Sequence, residues 1–451
     1  MPEPIISVSG LRGIVGVSLT PELAGRFAAA FAMGLSDGPV VLTRDGRTTG
    51  SMLSDAVRAT LCAVGRNVVD AGIAATPTTG VLVRTLGAVG GIQISASHNP
   101  PAYNGMKLFN AAGQVIPARE GQQVIDRYRA HQPVWVPFDR IGHVTSCSDT
   151  LTAHLDAVLA TVPVDAIRRQ RFRVLVDSNH GAGSLLATQL LSRLGCEVQL
   201  QGGTPDGQFA HPPEPTADNL QGVCQQVTAC RAHIGFCQDP DADRLAVIDE
   251  RGRYIGEEFT LALCLDRVLR HQPGPIVTNC STSRMSEDLA RHYGVPFHRS
   301  PVGEANVVAE MQRQGAVFGG EGNGGPIDPR VGYVRDSFVG MAQILAAMTE
   351  RQMSVSRLAD ALPRYTIHKD KTTLAADRVP TALEALERHF HEAEASRMDG
   401  LRLDWPNRWL LVRASNTEPI VRIIAEAPDE ESARSLCSDA AAVLQQATRQ
   451  T

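Results

Sequence analysis

The sequence predicts an α/β protein made of three successive similar units with mixed or mostly parallel sheets, followed by a smaller C-terminal α+β domain. Two observations carry this. Short apolar runs alternate with helical periodicity in three stretches of the chain, and parallel strands need helical crossovers. Past residue 400 the pattern changes to three strands and one closing helix. The length agrees, since 451 residues correspond to roughly three domains at about 150 residues each.

The elements follow in order. Thr20 and Pro21 form an N-cap and first helical residue for a helix over residues 21–35, where proline's missing N–H costs nothing. Residues 39–42 read as a buried strand, residues 51–64 as a helix and residues 91–95 as a second short strand. The alternation restarts with a strand at 172–177 and an apolar helix at 184–194. It restarts again with a helix at 257–270, a strand at 275–278 and a helix after Ser283. The last stretch gives strands at 401–404, 409–413 and 420–424 and an amphipathic helix at 429–447.

Composition excludes several classes. Hydrophobic residues make up 43% and charged residues 20%, the balance of a folded chain rather than a disordered one. A net charge of -5 argues against a dedicated nucleic-acid binder, whose footprint is basic. No apolar run reaches the roughly 20 residues of a membrane span, so no membrane association is expected. The start, Met1-Pro2-Glu3-Pro4, has no basic n-region or long apolar stretch, so no secretory signal is expected. Nine scattered cysteines without a CxxC pair suit free thiols, and a cytoplasmic location is expected.

Four motifs have the residue types that chemistry needs. Ser95-Ala96-Ser97-His98-Asn99-Pro100-Pro101 ends an apolar strand, and loops on a rigid scaffold carry much of catalysis. A plain serine-rich turn explains it too, and side chains of adjacent extended residues point apart, against a Ser-His dyad. Asp239-Pro240-Asp241-Ala242-Asp243-Arg244 alternates carboxylates between apolar runs. Three like charges so close must repel or share a cation, and oxygen ligands without His or Cys suit Mg²⁺. The spacing mimics an EF-hand opening, but Arg244 stands where that loop needs glycine. Gly320, Gly322 and Gly325 satisfy GxGxxG, yet Pro326-Ile327-Asp328-Pro329 follows where a dinucleotide fold needs a helix. Glu321 and Asn323, flanked by glycines, are instead suited to sugar hydroxyls, with a structural turn as the alternative. Arg413-Ala414-Ser415-Asn416-Thr417-Glu418-Pro419, with Arg422 beyond, places an arginine and further donors between two strands, which suits a phosphate. Ser9-Gly10-Leu11-Arg12-Gly13 adds one arginine in a glycine-rich turn.

In chain order these stretches resemble the α-D-phosphohexomutase family (phosphoglucosamine mutases, phosphoglucomutases and phosphomannomutases) over nearly the whole chain. Residues 95–107 are similar to its phosphoserine loop T/S-A-S-H-N-P-x-x-x-N-G-x-K, with Asn104, Gly105 and Lys107 in place. Residues 239–244 match D-x-D-x-D-R, residues 320–324 match G-E-x-S/N-G, residues 413–419 match R-x-S-x-T-E-P and residues 10–13 match G-x-R-G.

The resemblance implies four domains around a central cleft: a phosphoserine-loop domain at 1–150, a metal-loop domain at 151–253, a sugar-loop domain at 254–368 and a phosphate-binding domain at 369–451. It implies a phosphotransferase of the isomerase class that interconverts hexose 6- and 1-phosphates through phosphorylated Ser97 and a hexose 1,6-bisphosphate, which also serves as activator. One Mg²⁺ would be held by Ser97, Asp239, Asp241 and Asp243. Arg12, Lys107 and Arg244 would act as catalytic cations, Glu321 and Asn323 would bind the sugar, and Arg413, Ser415, Asn416 and Thr417 the distal phosphate. Two departures stand out: Gly325 and Glu304 occupy positions where many members carry histidine. Lys107 is the first choice for general acid/base and Glu304 the second. Asn323 and the run Ile94-Ser95-Ala96-Ser97 are similar to hexosamine-phosphate members, so glucosamine phosphate is the expected substrate, with glucose or mannose phosphate as the alternative. A silent sugar-phosphate binding protein is the alternative of another class. The partners expected are small-molecule sugar phosphates, with oligomeric state open.

Overall fold

The computed structural model describes residues 2–130, 132–414 and 420–449, and it contains four sheets in succession along the chain. The first has seven strands in the order Ile5–Ser7, Gly10–Ile14, Tyr103–Asn110, Gly90–Ile94, Val40–Arg44, Val68–Ile73 and Val144–Ser146. Val40–Arg44 runs parallel to both Gly90–Ile94 and Val68–Ile73, while Tyr103–Asn110 returns antiparallel. In the second sheet, Arg173–Asp177 lies parallel to Ile234–Gln238, which pairs antiparallel with Leu245–Asp249. The third repeats this plan: Ile276–Asn279 is parallel to Phe318–Glu321, which turns back into Gly325–Ile327. The C-terminal sheet is antiparallel throughout, with five strands closed by the helix Glu430–Arg449. This is the four-domain architecture expected, with mixed sheets in the first three units. The first unit is the largest, because a hairpin and an edge strand extend it.

Local chemistry explains the helix ends. Thr20 Oγ1 accepts from Leu23 N at 3.2 Å and Pro21 opens the helix Pro21–Ala32. That helix stops three residues short of the expected end, where Gly34 N and Leu35 N bond back to Phe31 O and Ala32 O in a tighter turn. Several strands were not expected, among them two polar ones that bear on the site. Tyr103–Asn110 contains Asn, Gly and Lys, and it is held as a strand by neighbours on both sides. Thr366–Thr373 is polar but pairs with Ile420–Ala427 along its whole length.

The helix Ser337–Arg351 is the central buttress. Phe338, Val339, Met341, Ile344 and Leu345 are fully buried, and it packs on Glu257–His271 within one core that spans the second and third units. The C-terminal domain has its own core of Leu386, Leu401, Leu410, Val421 and Leu444. Its link to the third unit includes Trp409, whose Nε1 donates to Glu426 Oε1 at 2.7 Å, and Glu426 also accepts from Arg284 N. Among the described residues no helix is long and apolar enough to cross a membrane.

Candidate active site

The first loop leaves strand Gly90–Ile94. Ser95 Oγ donates to Asp45 Oδ2 at 2.6 Å and accepts from Ser97 N at 2.9 Å, which bends the chain and puts Ser97 at φ +50°. The Arg47 guanidinium closes the turn by donating to the carbonyls of Ser97 (2.6 Å), Asn99 (2.5 Å), Pro100 (2.9 Å) and Tyr103 (2.9 Å). Ser97 is fully buried, and its Oγ donates to Asp239 Oδ2 at 2.8 Å. The left-handed φ also swings the next side chain round, so His98 Nδ1 lies 3.4 Å from Ser97 Oγ. The expectation that these side chains diverge assumed extended backbone. Burial, then Arg244 and Arg12, push His98 down to about 2, so the ring is neutral and the close partner of Ser97 is Asp239.

The second loop is the turn of an antiparallel hairpin in which Gln238 pairs with Leu245. That geometry excludes an EF-hand, which needs flanking helices. Three helix beginnings clasp it. Thr76 N donates to Asp241 O and Ala182 N to Pro240 O, while Ser337 Oγ donates to Ala242 O. These residues open the helices Thr76–Thr85, Gly183–Arg193 and Ser337–Arg351, whose positive ends suit an acidic loop. Asp239, Asp241 and Asp243 are fully buried, with ligand oxygens within 4.8 Å of one another. Burial, then the charges of Asp241 and Asp243, hold Asp239 well above the usual carboxylate range. Asp241 Oδ1 and Asp243 Oδ1 are buried without a hydrogen-bond partner. Crowded, oxygen-only and with two orphaned acceptors, this set fits a small hard cation and forms a candidate metal centre.

Lys107 lies mid-strand opposite Gln93 and Gly10. Its ammonium bonds Asp241 Oδ2 at 2.6 Å and Asp243 Oδ2 at 2.5 Å. Burial opposes the charge, but these two carboxylates outweigh it and raise the Lys107 pKa. Arg12 reaches Asn99 Oδ1 at 3.4 Å, and Arg244 binds Asp239 Oδ1 through its backbone N–H at 3.1 Å. Its Nε lies 3.8 Å from Asp243 Oδ1.

The third loop is the hairpin Phe318–Glu321 to Gly325–Ile327, with no helix after it, so the GxGxxG match is accidental. Glu321 Oε1 accepts from Asn279 Nδ2 (2.7 Å) and Gly303 N (3.0 Å), and its Oε2 accepts from Arg335 Nη1 (2.7 Å). Asn323 Oδ1 is buried and has no partner.

In the C-terminal sheet Arg413 faces Arg422, and Arg422 faces Lys371, across three neighbouring strands. Like charges directly opposite destabilise a sheet unless an anion lies over them. Asp399 Oδ2, 3.4 Å from Arg413 Nε, answers one of the three. Ser415, Asn416 and Thr417 lie outside the described residues.

All four domains line one cavity of about 890 Å³, which holds Arg12, Lys107, Arg244, Glu304, Glu321, Asn323 and Arg413 together. Ser97 and the three aspartates lie beneath its Lys107 wall. Sequence reasoning missed Arg47, Lys371 and Arg335. Arg47 and Arg335 carry no motif of their own. The Lys371 signal was its alternation in Lys369-Asp370-Lys371, which only the strand pairing makes readable.

Glu258 also lines this cavity, and burial pushes it up to about 8. Above its ordinary value of 4.5 the unfolded chain releases this proton while the folded chain keeps it, so stability falls as pH rises from there through about 8. Glu258→Gln is expected to remove that part of the slope and to gain about 1–2 kcal/mol over the parent at pH 9, since the group is only half-buried. Urea denaturation at pH 5, 7 and 9 checks this, and parallel profiles for the two proteins would contradict it.

Comparison with known proteins agrees with this geometry. Models of the phosphoglucomutase/phosphomannomutase family match its alpha/beta/alpha domains I, II and III at residues 5–134, 152–252 and 257–365, and its C-terminal domain at residues 371–443. A phosphoglucomutase/phosphomannomutase from Thermococcus kodakarensis is 37% identical, covering 94% of this chain and 95% of its own. A probable phosphoglucosamine mutase from Methanopyrus kandleri is 35% identical, covering 95% of each. The crystal structure of a phosphoglucomutase/phosphomannomutase family protein from Burkholderia thailandensis superposes with TM-score 0.84 at 27% identity, over 98% of this chain and 97% of that one. With every domain matched in order, this chain belongs to the phosphoglucomutase/phosphomannomutase family and is a phosphohexomutase.

Proposed function

We propose that this enzyme interconverts glucosamine 6-phosphate and glucosamine 1-phosphate through phosphorylated Ser97 and a 1,6-bisphosphate. The observation that carries it is Ser97 Oγ, 2.8 Å from a carboxylate of the aspartate cluster, beside a cavity walled by cations from every domain. In the first half-reaction the bond from phosphorus to Ser97 Oγ breaks as one to a sugar hydroxyl oxygen forms and that hydroxyl gives up its proton. In the second, the other phosphate's bond to its sugar oxygen breaks as its phosphorus bonds Ser97 Oγ, and the freed sugar oxygen takes up a proton. Mg²⁺, held by Asp239, Asp241, Asp243 and Ser97, supplies charge neutralisation at the transferring group. Arg12, Lys107 and Arg244 add fixed positive charge around it, which is most of what phosphoryl transfer asks of a protein. Glu321 and Asn323 orient the sugar, with Asn323 Oδ1 free to accept from a 2-amino group. Arg413, Arg422 and Lys371 hold the distal phosphate, joined by Ser415, Asn416 and Thr417. A hexose 1,6-bisphosphate from solution recharges Ser97. Comparing the pH–rate profiles of Lys107→Met and Glu304→Gln assigns the proton exchange with the sugar hydroxyl. Nine free thiols support a cytoplasmic setting.

Glucose or mannose phosphate is the second reading, favoured by the name of the 37% identical relative. The deciding assay uses the purified enzyme on glucosamine, N-acetylglucosamine, glucose and mannose phosphates. Highest kcat/KM on glucosamine phosphate supports the first reading, and preference for an unsubstituted hexose replaces it. Asn323→Ser is expected to shift the hexosamine-to-hexose ratio of kcat/KM by about tenfold, one hydrogen bond's worth. An unchanged ratio takes this loop out of specificity.

A further inference from the structure

Gly325 has no left-handed φ that would demand glycine, yet space forbids a side chain there. A Cβ at Gly325 would stand 2.4 Å from Arg335 Cδ and 2.8 Å from its Cγ. The stem of Arg335 therefore fills the volume that a residue 325 side chain would use. Beyond the stem, the guanidinium forks. Nη1 donates to Glu321 Oε2 and Nη2 to Asp243 Oδ2, each at 2.7 Å. The Arg335 backbone N–H donates to Glu304 Oε1 at 2.7 Å, and its Nε lies 3.5 Å from Glu304 Oε2. One residue thus touches both positions, 304 and 325, where the sequence departs from histidine.

Arg335 is also pinned from behind. Asp336 caps the helix Ser337–Arg351 through Oδ1, and its Oδ2 pairs with buried His154 Nε2 at 2.7 Å. His154 Nδ1 in turn meets Thr78 Oγ1 at 2.9 Å, so the first three domains hold the backbone at this point.

We infer that Arg335 is a positioning residue that locks the sugar loop to the metal loop, doing work here that side chains at 304 and 325 do not do. The inference rests on the mutase reading above. A planar fork reaches Glu321 and Asp243 at once and fixes their separation, whereas a lysine ammonium on a flexible stem does not. Arg335 also adds a positive charge beside the aspartates, so it competes electrostatically with a cation there. Removing it therefore has opposite effects on the two ligands: the sugar is held worse and the cation better.

The test uses the full-length protein and its Arg335→Gln, Arg335→Lys, Arg335→Ala and Gly325→Ala variants, the last two also combined. In Arg335→Gln, calorimetric Mg²⁺ affinity is expected to rise at least threefold while KM for the sugar phosphate rises at least tenfold. Arg335→Lys, which keeps the charge should Arg335→Gln not fold, is expected to lose at least tenfold in kcat/KM on every sugar with Mg²⁺ affinity unchanged. Gly325→Ala is expected to lower Tm, and to lower it less when Arg335→Ala is also present. Parallel weakening of Mg²⁺ and sugar in Arg335→Gln would show a merely structural residue and overturn the inference, as would parent kcat/KM in Arg335→Lys. If the parent turns over no hexose phosphate, the mutase reading fails, and the calorimetric and thermal measurements still decide for or against Arg335.

Discussion

Ser97→Ala is expected to abolish mutase turnover, by on the order of 10⁵-fold in kcat, while the protein stays folded. The size follows from the role: without Oγ there is no atom to carry the phosphoryl group between half-reactions, and the neighbouring cations cannot substitute for it. The stability cost is small by comparison. The variant loses one hydrogen bond to Asp239, about 1 kcal/mol, and keeps alanine at φ +50° in a turn already fixed by Ser95, Asp45 and Arg47. Two measurements check it together: turnover on the preferred hexose phosphate, and intact mass before and after incubation with hexose 1,6-bisphosphate. The parent is expected to gain the mass of one phosphoryl group and the variant none. Substantial turnover in Ser97→Ala, with phosphate mapped to another residue, would remove Ser97 as the carrier.

Much of this site was legible in the sequence because its motifs sit in contiguous turns. The alternating aspartates between two apolar runs define both the hairpin and the cation chemistry, and Ser97 follows an apolar strand directly. What was not legible depends on pairing across the chain. Lys107 is named by the loop pattern, but it sits on a strand whose own residues do not favour one, and its reach to Asp241 and Asp243 exists only because Tyr103–Asn110 lies between two partners. Lys371 becomes part of a cationic row only through its register with Arg422 and Arg413. Arg47 and Arg335 act on loops far from them in sequence, so no local spacing could announce them. The Ser97–His98 contact failed for a different reason: a single left-handed φ cancels the alternation on which the expectation relied.

Chelation is expected to stop turnover reversibly, and Asp241→Asn to lower kcat/KM by on the order of 10³, about 4 kcal/mol, at limiting Mg²⁺. The argument starts from charge. Asp239, Asp241 and Asp243 carry three negative charges when ionised, against the cations of Lys107, Arg244 and Arg335, all within ion-pair distance of Asp243 or Asp241. These six residues alone are thus near balance, and a divalent cation adds two positive charges, against which the nearest further carboxylates, Glu321 and Glu304, are already shared with Arg335. A phosphoryl group on Ser97 brings about two negative charges and restores neutrality. Cation and phosphoserine should therefore bind cooperatively, each raising the other's affinity by the same factor. Asp241→Asn takes one charge from this sum and one oxygen from the ligand set, while it leaves Lys107 paired with Asp243 and keeps a group of the same size beside Thr76 Oγ1. Folding is expected to survive it. Calorimetry with Mg²⁺ checks the coupling: the phosphorylated parent should bind at least tenfold more tightly than the unphosphorylated parent, and Asp241→Asn more weakly than either. Equal affinity in phosphorylated and unphosphorylated protein would refute the coupling, and full turnover in excess chelator would refute the metal assignment itself.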